Sequence, residues 1–112
     1  MLISVEPSDV TMSAFRAEST HRINNDSNQR IMFKMKISNV DDYRVTPVYG
    51  FIDPSGSTNV DVIRKNGIPK NDQLVVQFAP APDDATDAKT AFRNLQHEVP
   101  AENSFTINLC AQ

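Results

Sequence analysis

Apolar and polar residues alternate between residues 30 and 38, and this period of two constrains the fold more than any other feature. One side of the segment is apolar at every second position: Ile31, Phe33, Met35 and Ile37. The other side is mostly polar or charged: Arg30, Met32, Lys34, Lys36 and Ser38. Because successive side chains of a strand point to opposite faces, the pattern predicts a half-buried β-strand.

The same alternation predicts further strands along the chain. The clearest lie at residues 73–79, 105–110 and 59–62, and shorter candidates lie at residues 2–6, 10–15, 19–24 and 43–45. Turn-forming residues separate these runs, and Pro7, Pro47 and Pro100 lie at strand margins. Seven or eight short strands at a spacing of about 8–12 residues predict an all-β sandwich rather than a parallel α/β fold.

One segment breaks the period of two and predicts a short helix over residues 85–94. Its apolar residues form a helical stripe: Ala85, Ala88, Phe92 and Leu95. Asp84 is expected to cap the helix, with Asp87 near the positive end of the helix dipole. We expect this helix to cross one end of the sandwich and to insert Phe92 into the core.

Length and composition narrow the class of protein. The 112 residues are expected to form a single domain, residues 1–112, and 39% apolar content excludes a disordered chain. No apolar run approaches the roughly 20 residues that span a bilayer, and residues 1–7 do not form a signal peptide. The single cysteine, Cys110, suits a reducing compartment, so we expect a cytoplasmic protein without direct membrane insertion. The net charge of -3 argues against nucleic acid as a partner.

The residues that could carry catalytic or metal chemistry are few and poorly spaced for it. His21, His97 and Cys110 are far apart in sequence, whereas zinc ligands occur in pairs two to four residues apart and catalytic nucleophiles need a recognisable context. The acidic residues lie beside predicted turns, which explains them as turn or capping residues: Asp41, Asp42, Asp83, Asp84 and Asp87. We expect no enzymatic activity, no metal site and no cofactor.

The outward face of the strand at residues 30–38 is the candidate partner-binding face. Arg30, Lys34 and Lys36 give this face a local positive charge in a chain that is acidic overall. Met32, and Val75 at an outward position of the 73–79 run, would add apolar contact. Two interpretations stay open: an ordinary solvated surface, or a shallow basic patch for an acidic peptide or a partner subunit.

Several motifs occur in a fixed order over nearly the whole chain. Their centre is formed by residues 30–38 (RIMFKMKIS), 43–47 (YRVTP) and 50–56 (GFIDPSG), and residues 5–8 (VEPS) and 73–77 (QLVVQ) belong to the same series. This set resembles the major sperm protein (MSP) domain family. Within that family, residues 78–88 and 53–56 look like the small nematode sperm-specific class P proteins.

The resemblance implies a seven-stranded immunoglobulin-like β-sandwich, the MSP fold. It also implies a non-enzymatic protein of the nematode sperm cytosol, associated with the MSP-based cytoskeleton. MSP itself dimerises and polymerises through surface strands and loops and binds no nucleotide. The implied partners are MSP filaments or other MSP-family proteins, with self-association as an alternative. Whether this chain polymerises, binds filaments or alters their growth stays open.

A second branch of the family implies an alternative function. Its members are membrane-contact adaptors that bind acidic peptides with two phenylalanines, the FFAT type, through a lysine-rich strand and the strand equivalent to residues 73–77. Lys34 and Lys36 match this pattern, whereas Gln73 stands where the adaptors carry a basic residue and Val75 where they carry a methionine. Peptide capture is therefore the second hypothesis. The complete candidate face comprises Arg30, Met32, Lys34, Lys36, Gln73 and Val75.

Overall fold

Nine strands form two sheets packed face to face in residues 3–112, the part of the chain that this computed structural model describes. The strands are β1 (Ile3–Glu6), β2 (Asp9–Met12), β3 (Ala17–Asn25), β4 (Ile31–Ile37), β5 (Tyr43–Thr46), β6 (Tyr49–Ile52), β7 (Ser57–Arg64), β8 (Lys70–Pro80) and β9 (Ser104–Ala111). One sheet has the order β1-β3-β7-β5 and the other β2-β9-β8-β4-β6. The predicted all-β, immunoglobulin-like sandwich is confirmed, and its one short α-helix is α1 (Ala88–Arg93).

Two prolines account for the difference between the seven strands that the family resemblance implies and the nine observed. The chain leaves the four-stranded sheet after β1, passes Pro7 and enters the five-stranded sheet as β2. It makes the same change of sheet between β5 and β6, at Pro47. Proline has no N–H to donate to a ladder, so each strand is interrupted where it changes sheet. When β1 and β2 are counted as one interrupted strand, and β5 and β6 as another, seven strands remain.

Alternation located the long strands better than the short ones. The predicted strand at residues 10–15 ends at Met12, and Phe15 is exposed in the following loop. Strand β6 was not predicted, because its sequence Tyr-Gly-Phe-Ile does not alternate and contains a glycine. The strand predicted at residues 2–6 is observed from Ile3 onwards, and Leu2 lies outside the described residues.

The inner faces of the two sheets form the main core, as the alternation predicts. On β4 and β8, the inward residues Ile31, Phe33, Leu74 and Val76 are at most 1% exposed. The facing sheet contributes Ile23, Val60 and Val62, all fully buried. Full burial of one such side chain contributes about 1.5–3 kcal/mol, so this layer is the main source of stability.

The helix begins later than predicted because a different aspartate caps it. The N-cap residue is Asp87, not Asp84. Asp87 Oδ1 accepts the backbone N–H groups of Lys89 at 3.0 Å and Thr90 at 3.4 Å. The helix therefore starts at Ala88 and has six residues.

The expectation that Phe92 enters the sandwich core is wrong. Phe92 packs on the outer face of the five-stranded sheet, where it forms a second, smaller cluster with Met32 and Ala79. Tyr49 and Phe51 of β6 pack against the same cluster. The helix thus covers part of a sheet face rather than one end of the sandwich.

Asn25, fully buried at the end of β3, joins the two sheets. Its Nδ2 donates to the carbonyl oxygens of Gln29 at 2.8 Å and Ile52 at 3.1 Å, and its Oδ1 accepts from Ser27 Oγ at 2.6 Å. Ile52 ends β6 in the opposite sheet. Removal of this amide would leave buried carbonyl groups unpaired, at a cost of about 1–3 kcal/mol.

Gly50→Ala is expected to destabilise the fold by about 1–3 kcal/mol through overpacking. An added Cβ would lie 2.6 Å from Cε2 and Cζ of Phe33, the cross-strand neighbour, and the Phe33 ring is 1% exposed within the core. Urea unfolding measures the change in the free energy of unfolding. In a Phe33→Leu background the same substitution should cost less, because the smaller side chain vacates the space. An equal cost in both backgrounds would contradict the steric explanation.

Candidate partner-binding face

The residues of the predicted face all belong to the outer side of the five-stranded sheet. They are Arg30, Met32, Lys34 and Lys36 on and just before β4, and Gln73 and Val75 on β8. The register of β4 and β8 places Lys36 opposite Val75, and Lys34 opposite Gln77. The fold therefore brings the two predicted halves of the face side by side.

Met32 is not available to a partner, which corrects the expectation that it contributes apolar contact. Its side chain is fully buried, covered by Phe92 of α1 and packed against Ala79 of β8. Phe92 in turn meets Tyr49 edge to face, with 6.2 Å between the ring centroids. The alternation placed Met32 on the outer side correctly. It could not show that a helix much later in the sequence folds over that position.

Arg30 holds a loop in place and has little capacity left for a partner. Its guanidinium lies 3.8 Å from the centroid of the Phe51 ring, and its Nη1 donates to the carbonyl oxygen of Ala85 at 3.0 Å. Its Nε lies 3.7 Å from Oδ1 of the exposed Asp53, an ion pair that contributes little. The first two contacts anchor the segment before α1 to the sheet. Arg30 thus acts as a structural residue.

The two lysines of the face differ in their surroundings. Lys34 is half-buried, with its Nζ 5.8 Å from the centroid of the Tyr49 ring. Lys36 is exposed and forms no salt bridge with any residue in the range 3–112. It also lines a cleft of about 490 Å³, together with Phe92, His97 and Glu98. Lys36 is therefore the basic residue of the face that is best placed to meet an acidic group.

An open strip remains on the outer face, beside the area that α1 covers. It consists of outward residues of β4, β8 and β9: Lys36, Gln73, Val75, Gln77, Thr106 and Asn108. Val75 is half-buried and lies between Lys36 and Thr106 in the register. At the edge, Asn108 Nδ2 donates to Asp9 Oδ1 at 2.9 Å. An apolar residue surrounded by polar side chains on a sheet surface suits protein contact better than small-molecule binding.

Gln77, Thr106 and Asn108 belong to the open strip but were not part of the predicted face. Their outward positions could be read from the alternation in β8 and β9. What the sequence does not reveal is that β9 lies next to β8, because a period of two assigns faces and not strand neighbours.

The residues weighed for catalysis lie in three different environments. His21 is fully buried in β3, where its Nδ1 donates to the carbonyl oxygen of Pro7 at 2.7 Å and its Nε2 accepts from Ser19 Oγ at 2.8 Å. Cys110 faces outward from β9, and His97 is exposed after α1. Among residues 3–112, no three His, Cys, Asp or Glu side chains are grouped to hold a metal ion. No helix in that range is long and apolar enough to cross a membrane.

Comparison with known proteins matches this chain to a described family. A family profile described as the MSP (Major sperm protein) domain matches residues 2–101. Sperm-specific class P protein 10 of Caenorhabditis elegans is 49% identical over 92 residues, which make up 82% of this chain and 84% of that protein.

Two solved structures share the fold over almost their full length. SSP-19, an MSP-domain protein like family member in Caenorhabditis elegans, has a TM-score of 0.90 at 45% identity, covering 97% of this chain and 98% of its own. WR4, a Caenorhabditis elegans MSP family member, has a TM-score of 0.86 at 37% identity, covering 98% of this chain and 97% of its own.

Asp87→Asn is expected to remove a pH-dependent part of the stability of α1. The hydroxyl of Thr90, followed by the backbone N–H groups of Thr90 and Lys89, donates to the carboxylate and holds the pKa of Asp87 below its usual value of 3.8. Because the folded-state pKa is the lower one, the carboxylate stabilises the fold above about pH 4. This contribution is lost as the pH falls through the folded-state value. Asn also caps helices well, so the variant keeps a cap that does not titrate.

Urea unfolding between about pH 6 and about pH 2.5 measures this effect. The free energy of unfolding should fall more steeply with decreasing pH in the wild type than in Asp87→Asn. Asp83→Asn, in the loop before the helix, is the matched control and should follow the wild type. Parallel curves for all three proteins would contradict the assigned role of Asp87.

Proposed function

Because this chain belongs to the MSP domain family, we propose that it is a sperm-specific nematode protein that acts without catalysis, through protein–protein contacts. Its proposed role is that of a structural or regulatory component of the MSP-based cytoskeleton in the sperm cytosol. MSP filaments or other MSP-family proteins are the proposed partners. The names of its relatives, sperm-specific class P proteins at up to 49% identity, support the cell type.

The open strip is the observation that carries this proposal. Helix α1 covers one part of the outer sheet face and leaves the neighbouring strip open. Val75 supplies an apolar centre, and the surrounding ammonium, amide and hydroxyl groups supply hydrogen bonds at the rim. This arrangement of an apolar centre and a polar rim is typical of protein interfaces.

The composition of the strip also supports a non-catalytic role. The MSP family is not known for enzymes. The strip itself contains one lysine, three amides and one threonine hydroxyl, and no carboxylate or imidazole that could transfer protons at neutral pH. We therefore assign the strip to recognition.

Fibre assembly from purified MSP, with and without this protein, tests the proposal. The wild type should co-sediment with the fibres and change their growth rate. Val75→Glu should weaken co-sedimentation by about tenfold or more, because it places a charge at the centre of the strip. Ile63→Glu is the matched control on the outer face of the other sheet and should behave like the wild type.

Two outcomes of this experiment would count against the proposal. If the wild type neither co-sediments nor alters growth, the cytoskeletal role is wrong. If Ile63→Glu abolishes the interaction and Val75→Glu does not, the role stands but the contact surface has been assigned to the wrong sheet.

We propose capture of an acidic peptide as the second candidate function, favoured by the position of Lys36. This lysine is exposed, lies next to Val75 and lines a cleft with Phe92, His97 and Glu98. An acidic residue could pair with Lys36 while a neighbouring aromatic side chain enters the cleft. The absence of a basic residue at Gln73 weakens this candidate relative to the first.

Titration with an FFAT-type peptide separates the two functions. The adaptor function predicts micromolar binding that weakens by about tenfold in Lys36→Ala. Lys89→Ala, which removes an exposed lysine from α1, is the control and should leave binding unchanged. Millimolar or absent binding to the wild type would exclude peptide capture.

A further inference from the structure

Large apolar side chains project from three loops at one end of the sandwich. Phe15 precedes β3, Val40 precedes β5 and Ile68 follows β7, and they are 75%, 70% and 75% exposed. The three loops are neighbours because Ala17, Arg64 and Tyr43, at the adjoining strand ends, pair across the sheet. Large apolar side chains that are about three-quarters exposed on neighbouring loops mark an interaction surface.

Arg64 fixes two of these loops from inside the protein. Its side chain is fully buried, and its guanidinium lies 5.0 Å from the centroid of the Tyr43 ring. Its Nε donates to the carbonyl oxygen of Ala14 at 3.1 Å, and its Nη2 donates to that of Ile68 at 2.7 Å. A charge-assisted hydrogen bond from a buried guanidinium is among the stronger ones. Phe15 and Ile68 are thus presented by anchored backbone segments.

Gly67 joins the same two loops directly. Its backbone N–H donates to the carbonyl oxygen of Ala14 at 3.1 Å. A Cβ at this position would lie 2.8 Å from Asp42 Oδ2 and 3.0 Å from Arg64 Nη2, so glycine allows the close approach. The loops at residues 13–16 and 65–69 therefore form one unit, here called the basic tip.

The basic tip differs in charge from the rest of the molecule. Residues 13–16 and 65–69 contain Arg16 and Lys65, both exposed, and no acidic residue, in a chain with a net charge of -3. The third loop carries Asp41 and Asp42 beside Val40. The Asp42 carboxylate lies next to Gly67 of the basic tip and accepts a hydrogen bond from Asn39 Nδ2, so we assign this loop no role in an anionic contact. Two of the three exposed apolar side chains, Phe15 and Ile68, thus lie on the loops that carry Arg16 and Lys65.

We propose that the basic tip docks on an anionic lipid surface. Phe15 and Ile68 enter the boundary between headgroups and acyl chains, and Arg16 and Lys65 contact the anionic headgroups. Aromatic and aliphatic side chains beside basic residues are what binds a protein to the surface of such a membrane. Side chains that are three-quarters exposed need no complementary pocket, which favours a fluid lipid surface over an acidic protein.

This contact is peripheral and goes beyond the proposed cytoskeletal function. The sequence predicts no direct membrane insertion because no apolar segment is long enough to span a bilayer. Two side chains at the interface need no such segment. The basic tip and the open strip consist of different residues. One molecule could therefore bind a membrane and a protein partner at the same time.

Co-sedimentation with phosphatidylcholine vesicles, with and without about 30 mol% phosphatidylserine, tests the proposal. The wild type should bind only the vesicles with phosphatidylserine, and less at high salt. Binding should fall by about tenfold or more in the double variant Phe15→Ser/Ile68→Ser, and also in Arg16→Gln/Lys65→Gln. Val48→Ser/Leu95→Ser removes two exposed apolar residues elsewhere and should bind like the wild type. Thermal unfolding shows whether each variant is folded.

Three outcomes would overturn the proposal. The first is failure of the wild type to bind phosphatidylserine vesicles. The second is equal binding by the folded Phe15→Ser/Ile68→Ser variant. The third is saturable binding to a decaglutamate peptide without binding to vesicles. That result would mean that the basic tip binds an acidic protein and not a lipid surface. Val75→Glu, which is designed to disrupt fibre binding, should leave vesicle binding unchanged and so separates this inference from the proposed function.

Discussion

Strand β4 is buried on both faces over its first half and on one face over its second half, and the candidate site follows from this difference. Ile31 and Phe33 lie in the sandwich core, and Met32 between them lies under α1. Further along, the outward positions are Lys34 and Lys36. An ammonium group cannot be buried without a partner, so these lysines limit how far the helical cover can extend. The open strip begins where that cover ends.

Helix α1 and the sheet face that it covers stabilise each other. A helix of six residues is too short to persist alone in water, so α1 depends on the contact of Phe92 with the sheet. In return, α1 shields Met32 from solvent. Arg30 links the two, because it binds Phe51 on the sheet edge and the backbone of Ala85 before the helix. A basic residue that the sequence suggested as a partner contact therefore maintains the surface beside the proposed contact strip.

The sequence was sufficient to predict which side of β4 faces the core. Alternation is a local property, and it correctly assigned the inward positions of β4 and the outward position of Val75 on β8. Alternation did not predict features that depend on residues distant in sequence. Met32 is outward yet buried, because a later segment covers it. Asp84 and Asp87 are both suitable caps, and the local sequence does not distinguish Asp87, the cap that is observed, from Asp84. Strand β6 is defined by its pairing with β4 rather than by its own pattern.

We propose that a filament partner meets the open strip of the five-stranded sheet and not the outer face of the four-stranded sheet. Val75 and Ile63 carry methyl groups on these two faces, so cross-saturation NMR with protonated MSP fibres and deuterated, methyl-labelled protein compares them directly. When the fibre protons are saturated, the Val75 methyl signals should lose intensity and the Ile63 signal should not. Loss of intensity at Ile63 with none at Val75 would contradict the account.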